Sequence, residues 1–367
     1  TPILTLDTLL PPLLTPLLNP LTPPFLLLCL RAQATPTTSP SFILTSIYFA
    51  ILTTAHILRL LNTHFAYGNP RPVDLSDEVV VVTGGASGLG LLIARVYCLR
   101  GVRVAVLDLS VGGELREMAE GEEGDEGMGM GMGMGMGVYK CDVGDRAQVE
   151  EVLGRVEREL GPPTVLIHCA AARINGLPLR QLSSHAFQKT IQTNLLAAVN
   201  VYQLFLPRVL AAPNGGTIVT VSSVLGQLCA AGLADYSASK AGLSALHRSL
   251  EAELRVSGDD AKVKMILVES GQIATPLFES VKTPNRFFAP VLEPVQVAQA
   301  IVSAADSGRG GVIRLPAFAT LVNWYAVLPA SVQRLARYLS GIDSAVAQAA
   351  DSSGRQLQSE LDHVKED

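Results

Sequence analysis

The chain has 367 residues, of which 48% are hydrophobic, and its mean hydropathy is positive at +0.33. This length suits one large domain with attachments, and the apolar composition favours contact with a membrane. The net charge of -5 includes no basic excess, so nothing predicts binding to nucleic acid. The five cysteines are widely spaced, without CxxC or metal-ligand spacing, which indicates reduced thiols in a protein facing the cytosol and no metal site.

Residues 1–67 form a hydrophobic N-terminal region. Its first 40 residues are rich in Leu, Pro and Thr, and their only long apolar run, residues 25–30, is too short to cross a bilayer. Residues 41–61 are nearly all apolar, and at about 1.5 Å per residue they reach roughly the 30 Å of a hydrocarbon core. We predict a membrane anchor at 41–61; a buried helix and a cleaved signal peptide are the alternatives.

A glycine-rich turn follows a polar linker at residues 68–78. Residues 79–82 are a β-branched run typical of a buried parallel strand, and residues 91–100 are predicted to be helical. Glycines between a strand and a helix allow the backbone to approach a pyrophosphate, and the helix N-terminus supplies N–H donors and the positive end of its dipole. The predicted phosphate-binding residues are Thr83, Gly84, Ser87, Gly88, Leu89 and Gly90.

Two aspartates end the next two predicted strands. Asp108 closes the strand of residues 102–107, about 20 residues past the glycine loop, where a carboxylate can hydrogen-bond both ribose hydroxyls and repel a 2′-phosphate. This position favours NAD over NADP; an exposed aspartate at a strand end is the alternative. Asp142 closes the strand of residues 138–141 and is placed to reach the adenine amino group.

Strand and helix patterns continue to alternate along the chain. Residues 120–137 interrupt them with a run of Gly, Met and acidic residues that cannot build a core, so we predict an insertion there. Further helices are predicted at 145–160, 183–210 and 294–305, and further strands at 164–168, 217–221, 262–268 and 311–315. Right-handed crossovers then give an α/β fold with a doubly wound, Rossmann-type parallel sheet of about seven strands.

Four polar residues in the second half of the chain are candidates for catalysis. Tyr236 and Lys240 are four residues apart and share a helix face, so a nearby ammonium is expected to lower the pKa of the phenol. A phenol tuned in this way serves as a general acid or base; an ordinary amphipathic helix face is the alternative. Ser223 follows a strand at the edge where α/β proteins bind ligands. Asn194 lies inside a predicted helix, which selects asparagine only when its side chain has a role.

These motifs, in this order, resemble the short-chain dehydrogenase/reductase family over residues 76–316. The family's TGxxxGxG loop, acidic residues, helix asparagine, serine and YxxxK pair are present as Thr83, Gly84, Gly88, Gly90, Asp108, Asp142, Asn194, Ser223, Tyr236 and Lys240. The family's fold agrees with the α/β sheet predicted from the residue patterns.

The resemblance implies a role for each candidate residue. Tyr236 donates or accepts the proton, Lys240 lowers its pKa and binds the nicotinamide ribose, and Ser223 hydrogen-bonds the substrate oxygen. Asn194 holds a water molecule in the proton relay. The segment that contacts the nicotinamide carboxamide is represented by Ile273 and Thr275.

The chain departs from the family pattern in two places. Where Pro-Gly is usual after the sixth strand, Ser270 and Gly271 follow Glu269. Where NNAG is usual after the fourth strand, the residues are His168, Cys169, Ala170 and Ala171. These changes leave the four catalytic candidates intact but alter the support of the cofactor.

A C-terminal helical extension and tail, residues 319–367, follow the oxidoreductase domain of residues 68–318. Apolar positions between 332 and 339 suit an interfacial membrane helix, a cover over the substrate pocket, or a contact in a homodimer. The hydrophobic N-terminus and the segment 271–278 resemble the membrane-associated retinol-dehydrogenase and 17-beta-hydroxysteroid-dehydrogenase branch. This finer resemblance implies a small apolar substrate: a retinoid, steroid or lipid-like alcohol, or its carbonyl compound.

We therefore expect a membrane-associated oxidoreductase of lipid metabolism that uses NAD, with NADP less favoured. Its expected location is the endoplasmic reticulum or lipid droplet membrane, with the catalytic domain facing the cytosol. The alternative is a catalytically weak relative that binds a lipid or a partner at a membrane surface. Intact Ser223, Tyr236 and Lys240 favour the enzyme, whereas Ser270 and the altered NNAG segment favour the alternative.

Overall fold

A computed structural model of the chain describes residues 4–112, 135–279, 281–283 and 285–346. The chain divides into two compact units, Thr1–Asn69 and Pro70–Asp367.

The first unit is helical within its described residues. Its helices are α1 (Leu6–Leu18), α2 (Thr22–Ala32) and α3 (Pro40–Tyr67). α3 contains the predicted anchor, and its 28 residues are long and apolar enough to cross a membrane. α1 and α2 meet this criterion only together, as a pair bent by 53°. The sequence did not predict these two helices, because the apolar run at 25–30 is short when taken alone.

The second unit is built on a sheet of seven strands within its described residues. The strands are β1 (Val79–Thr83), β2 (Arg103–Asp108), β3 (Met136–Lys140), β4 (Val165–His168), β5 (Gly216–Ser223), β6 (Val263–Ser270) and β7 (Gly311–Leu315). Their order is β3-β2-β1-β4-β5-β6-β7, and every neighbouring pair is parallel. The doubly wound parallel sheet predicted from the sequence is confirmed.

Helices cover both faces of this sheet. α4 (Gly88–Leu99) and α10 (Pro294–Asp306) pack on one face. The other face carries α5 (Arg146–Glu159), α7 (Ala197–Ala211) and α9 (Ala234–Ser257). Within β1, Val79 and Val81 join one apolar cluster while Val80 and Val82 join the other, as alternating side chains require. The remaining α-helices among the described residues are α6 (Ser184–Ile191), α8 (Leu225–Leu228), α11 (Ala319–Tyr325) and α12 (Ala330–Ser340).

Two predicted features fall partly or wholly outside the described residues. The insertion predicted at 120–137 is described only from Gly135 onward, and there Met136 and Gly137 belong to β3 rather than to an insertion. Of the C-terminal extension and tail predicted at 319–367, residues 347–367 lie outside them.

Candidate active site

The carboxyl ends of the central strands border a cleft of about 630 Å³. Doubly wound α/β proteins bind ligands at this edge of the sheet. The predicted cofactor residues that line the cleft are Gly84, Ser87, Gly88, Leu89, Gly90, Asp108, Asp142, Tyr236, Lys240, Ile273 and Thr275. One cleft thus collects residues that are far apart in the chain.

The glycine loop presents its backbone to this cleft. Gly84 has a φ of +65°, and a Cβ added there would stand 2.7 Å from the Cα of Ala170. A Cβ on Gly90 would be 2.4 Å from the Gly84 carbonyl oxygen, so both positions require glycine. α4 begins after Ser87 without a side-chain cap, which leaves N–H groups of its first turn for an anion. These features fit the pyrophosphate of a dinucleotide.

The two aspartates lie further along the same cleft. Asp108 Oδ2 accepts the Ala86 N–H at 3.0 Å, and its Oδ1 accepts the Ser110 N–H at 3.1 Å. Asp142 Oδ1 accepts the Gly144 N–H at 2.8 Å. Because a carboxylate oxygen can accept two hydrogen bonds, these contacts orient both groups and leave acceptor capacity for a ribose or a base.

Thr83 does not line the cleft; it supports the loop from below. Its hydroxyl lies 2.9 Å from His168 Nδ1 and accepts the Ala170 N–H at 3.4 Å. His168 Nε2 is buried without a hydrogen-bond partner among the described residues. Burial lowers the pKa of His168 to about 3, with a smaller contribution from the charge of Lys240. This departure from the family pattern therefore places a neutral imidazole beneath the cofactor cleft.

Tyr236 and Lys240 lie near the start of α9, and each is only 3% exposed. The Lys240 ammonium is 5.8 Å from the centre of the Tyr236 ring and donates to the Val221 carbonyl oxygen at 2.9 Å. Burial raises the pKa of Tyr236 to about 12, and a hydrogen bond with Ser223 opposes this only in part. In this structure burial therefore outweighs the lowering of this pKa that we expected from Lys240.

Burial also acts on Lys240, whose pKa it lowers to about 8. At neutral pH the phenol keeps its proton and the lysine keeps most of its charge. This combination suits proton donation by Tyr236 next to a cation whose charge is lost just above neutrality.

Ser223 is the last residue of β5 and is buried beside Tyr236. Its hydroxyl donates to the Ser270 carbonyl oxygen at 3.2 Å and accepts the Leu225 N–H at 3.2 Å. The contact with Ser270 uses only backbone, which any residue type provides. The change from proline at this position is therefore compatible with the serine's placement.

Asn194 lies in a π-helical segment, Gln192–Leu196, between α6 and α7. The single helix predicted over 183–210 is thus interrupted, and such segments are frequent at functional sites. Asn194 is fully buried; its Oδ1 accepts the Ala172 N–H at 2.7 Å and its Nδ2 donates to Ser239 Oγ at 2.9 Å. Asn194 therefore ties the loop after β4 to the turn of α9 that holds Lys240.

Sequence reasoning missed several residues that hold these groups. Ser239 lies inside the YSASK motif and donates to the Tyr236 carbonyl oxygen at 2.7 Å. Asp235 is buried beside the motif and accepts hydrogen bonds from Thr190 at 2.8 Å and Asn175 at 2.6 Å. Acidic residues are common in the first turn of a helix, so nothing in the sequence marks Asp235 as buried.

A second cavity of about 400 Å³, lined mostly by apolar side chains, adjoins the cleft. Phe278 belongs to the walls of both, and its ring meets that of Tyr236 edge-on, with 6.1 Å between the ring centres. α11 and α12 form one side of this apolar cavity. The C-terminal segment thus covers a pocket, while its membrane and homodimer contacts stay predictions.

Comparison with known proteins identifies the class. Residues 78–286, more than half of the chain, match the short chain dehydrogenase family, and the chain belongs to that family.

Three similar proteins indicate which members of this family the chain resembles. Retinol dehydrogenase 10 of Homo sapiens is 30% identical over 244 residues, which cover 61% of this chain and 71% of that protein. Short-chain dehydrogenase/reductase family 16C member 6 of Bos taurus is 29% identical over 231 residues, covering 63% of this chain and 70% of the relative. An uncharacterized oxidoreductase of Saccharomyces cerevisiae is 26% identical over 296 residues, covering 79% and 91%. The chain is therefore an oxidoreductase of the short-chain family, similar to retinol dehydrogenases.

Proposed function

We propose that the protein is a membrane-associated dehydrogenase that interconverts an apolar alcohol and its carbonyl compound with NAD(H). The observation that carries this proposal is the position of Tyr236, which lines the polar cleft while its ring packs on Phe278, the residue shared with the apolar cavity. A proton donor at the junction of a dinucleotide cleft and an apolar pocket suits carbonyl chemistry on an apolar compound. The similarity to retinol dehydrogenase 10 supports a retinoid, steroid or lipid-like substrate.

Each residue of the site has its own role in the proposed reaction. When bound, the nicotinamide cofactor supplies or accepts the hydride. Tyr236, protonated at neutral pH, donates its proton to the carbonyl oxygen in the reductive direction, and Ser223 hydrogen-bonds the same oxygen. Lys240 binds the nicotinamide ribose. Asn194 fixes the turn that holds Lys240, and we assign it the relay water as well.

The cleft also supports a preference between the two cofactors. Asp108 is oriented by two backbone N–H groups at the end of β2, where a negative charge disfavours the 2′-phosphate of NADP. We expect fluorescence titrations to show tighter binding of NADH than of NADPH. In Asp108→Ala the difference between these two affinities should be smaller. Equal or tighter NADPH binding by the wild type would exclude this preference.

The test of the proposed reaction is Tyr236→Phe, which removes the proton and keeps the ring. Turnover should fall by at least the roughly 10² to 10⁴ that a positioned acid or base supplies, while NADH affinity stays nearly unchanged. Tyr202→Phe is the matched control, since that buried tyrosine bonds Thr220 and lies outside both cavities. If the wild type binds NADH but turns over no retinoid, steroid or long-chain alcohol faster than Tyr236→Phe, a lipid- or partner-binding role replaces the enzymatic one.

We further propose that α3 anchors the protein, at the endoplasmic reticulum or lipid droplet, with the catalytic unit in the cytosol. None of its side chains is buried, and 28 residues at 1.5 Å each exceed the thickness of a hydrocarbon core. The cytosol supplies the cofactor and keeps thiols reduced, in agreement with five free cysteines.

A further inference from the structure

One side chain connects α12 to the opposite wall of the apolar cavity. Arg337 Nη1 donates to the Leu228 carbonyl oxygen at 2.6 Å, and its Nη2 donates to the Cys229 carbonyl oxygen at 2.8 Å. Arg337 Nε also donates to Asp343 Oδ2 at 2.9 Å, and Nη2 pairs with Oδ1 of the same carboxylate. The planar guanidinium, with donors in several directions, thus joins two segments that are more than 100 residues apart.

The segment held by Arg337 connects two catalytic candidates. Residues 224–233, which we call the substrate loop, run from Ser223 at the end of β5 to the start of α9, three residues before Tyr236. Their first turn is already tied to the site, because the Leu225 N–H donates to Ser223 Oγ. Any displacement of this loop therefore acts on the cavity wall next to the reacting groups.

The substrate loop needs outside partners to keep its shape. Cys229 has a φ of +51°, a left-handed conformation that is uncommon for residues other than glycine. The carbonyl groups that end the short helix α8 have no partners within that helix, and Arg337 supplies donors to two of them. Asp343 adds a third tie by accepting the Ala231 N–H at 3.3 Å. Arg337 and Asp343 together therefore hold the loop at three residues, Leu228, Cys229 and Ala231.

The two segments that Arg337 connects, the substrate loop and α12, both line the apolar cavity. Leu225, Leu228 and Leu233 line it from the substrate loop. α12 lines it with Ala336, Arg337, Leu339 and Ser340. The guanidinium lies where the two walls meet, so it sets the distance between them.

We propose that Arg337 is a positioning residue that determines substrate length, by latching α12 to the substrate loop so that the apolar cavity keeps a wall for a long apolar chain. This inference rests on the proposed function. A short alcohol needs only the surroundings of Tyr236 and Ser223, whereas a long one gains its affinity from the latched wall. Loss of the latch therefore weakens binding of long substrates selectively.

The positioning role of Arg337 differs from a general contribution to the stability of the fold. The Arg337 and Asp343 side chains are 26% and 47% exposed, and ion pairs at such exposure contribute little to the free energy of unfolding. The effect is expected in substrate affinity, with little change in the melting temperature.

The experiment compares Arg337→Met with Arg334→Met in the full-length protein. Arg334 lies on the same helix, is exposed, and does not line the cavity. We expect Arg337→Met to raise the KM for long-chain primary alcohols about tenfold, which equals the cost of exposing one or two methylene groups to water. The KM for short-chain alcohols should rise much less. Arg334→Met should match the wild type. Arg337→Lys, whose ammonium retains a donor for one carbonyl, should recover part of the selectivity.

A direct binding measurement keeps this test independent of turnover. Fluorescence anisotropy with a fluorescent long-chain alcohol should show weaker binding to Arg337→Met than to the wild type or Arg334→Met. An equal change for short and long alcohols, or unchanged binding of the fluorescent alcohol, overturns the latch. Weaker binding without turnover by the wild type supports the latch while removing the proposed reaction.

Discussion

Lys240 is a buried lysine whose surroundings favour its neutral form. Its ammonium donates to a backbone carbonyl, and burial lowers its pKa to about 8. Below that pH the side chain is charged, and above it the charge is lost. If Lys240 binds the nicotinamide ribose as we propose, the affinity of the free protein for the cofactor should depend on pH close to neutrality.

We predict that NADH affinity weakens as the pH rises through about 8, because Lys240 then releases its proton. Lys240→Arg keeps its charge throughout this range and should bind NADH with little pH dependence. Fluorescence titration of NADH between about pH 7 and 9.5 measures this for both proteins, even where turnover is lost. The same weakening in Lys240→Arg would assign the titration to another group.

A second residue-scale prediction concerns His168, whose pKa burial lowers to about 3. Unfolding exposes the imidazole, so between about pH 6.5 and 3 the unfolded chain binds a proton that the folded chain does not. The free energy of unfolding should therefore fall as the pH falls through this window, by about 1.4 kcal/mol per pH unit from this residue. Urea titrations at pH 7 and pH 5 should show a smaller acid loss for His168→Asn. An equal loss would contradict the prediction.

At this scale, residue types were easier to predict than their electrostatics. Tyr236 and Lys240 could be paired by spacing alone, because residues four apart share a helix face. Spacing does not report burial, however, and burial decides the direction of the Tyr236 pKa. A sequence also cannot show that the lysine's partner is the Val221 carbonyl, which comes from another element.

Among the elements, the carboxyl end of β6 carries one of the two departures from the family pattern, the change from Pro-Gly to Ser270 and Gly271. Glu269 is almost fully buried there and accepts from Arg248 of α9 and Arg314 of β7, each at 2.8 Å. Gln227 of α8 donates to the same carboxylate at 3.1 Å. Glu269 thus joins four elements, namely β6, α8, α9 and β7.

We predict that Glu269→Gln lowers the free energy of unfolding by about 1–3 kcal/mol, because it removes the charge that both arginines share. The estimate stays below that for a fully buried pair, since the Arg248 side chain is half exposed. Urea denaturation measures the change, and Glu253→Gln, an exposed position on α9, provides the control. Equal stability of the two variants would show that the cluster contributes nothing.

The types of the elements could be predicted from the periodicity of apolar residues, but the interruption of a helix could not. The strand β1 could be located because a β-branched run such as its four valines marks a buried parallel strand. The π segment Gln192–Leu196 could not, because its hydrogen-bond pattern leaves the apolar periodicity nearly unchanged. Asn194 was the one hint, since asparagine is a poor choice inside a regular helix.

At the scale of the whole molecule, we predict that α3 makes the protein resistant to carbonate extraction. Within the described residues its apolar side chains, among them Leu44 and Ile51, are largely exposed, as the lipid-facing side chains of a membrane helix would be. Removing residues 1–69 should release the second unit into the soluble fraction. Ile51→Arg should weaken anchoring, since Ile51 is the midpoint of the predicted span 41–61 and an arginine at the bilayer centre costs about 2.5–3.5 kcal/mol.

Extraction of the unaltered full-length protein by carbonate would contradict the anchor. Residual membrane binding by residues 70–367 would point to the exposed apolar residues of α12, such as Leu335 and Leu339.

The architecture of the second unit was predictable because its elements alternate regularly along the chain. The apolar cavity was not, since its walls come from the substrate loop, the segment after β6 and α12, which meet only in the folded chain. The amphipathic spacing of α12 left a membrane, a pocket and a second subunit equally open.

Phe278 forms part of both cavity walls, so the cleft and the apolar cavity are not independent compartments. An amphiphile that fills the apolar cavity would contact this ring, which meets the ring of Tyr236 edge-on, so we expect it to alter the cleft beside Tyr236. Linkage makes such an effect reciprocal. A detergent molecule is an amphiphile of this kind, so the apparent cofactor affinity of the purified protein should depend on the detergent that keeps it in solution.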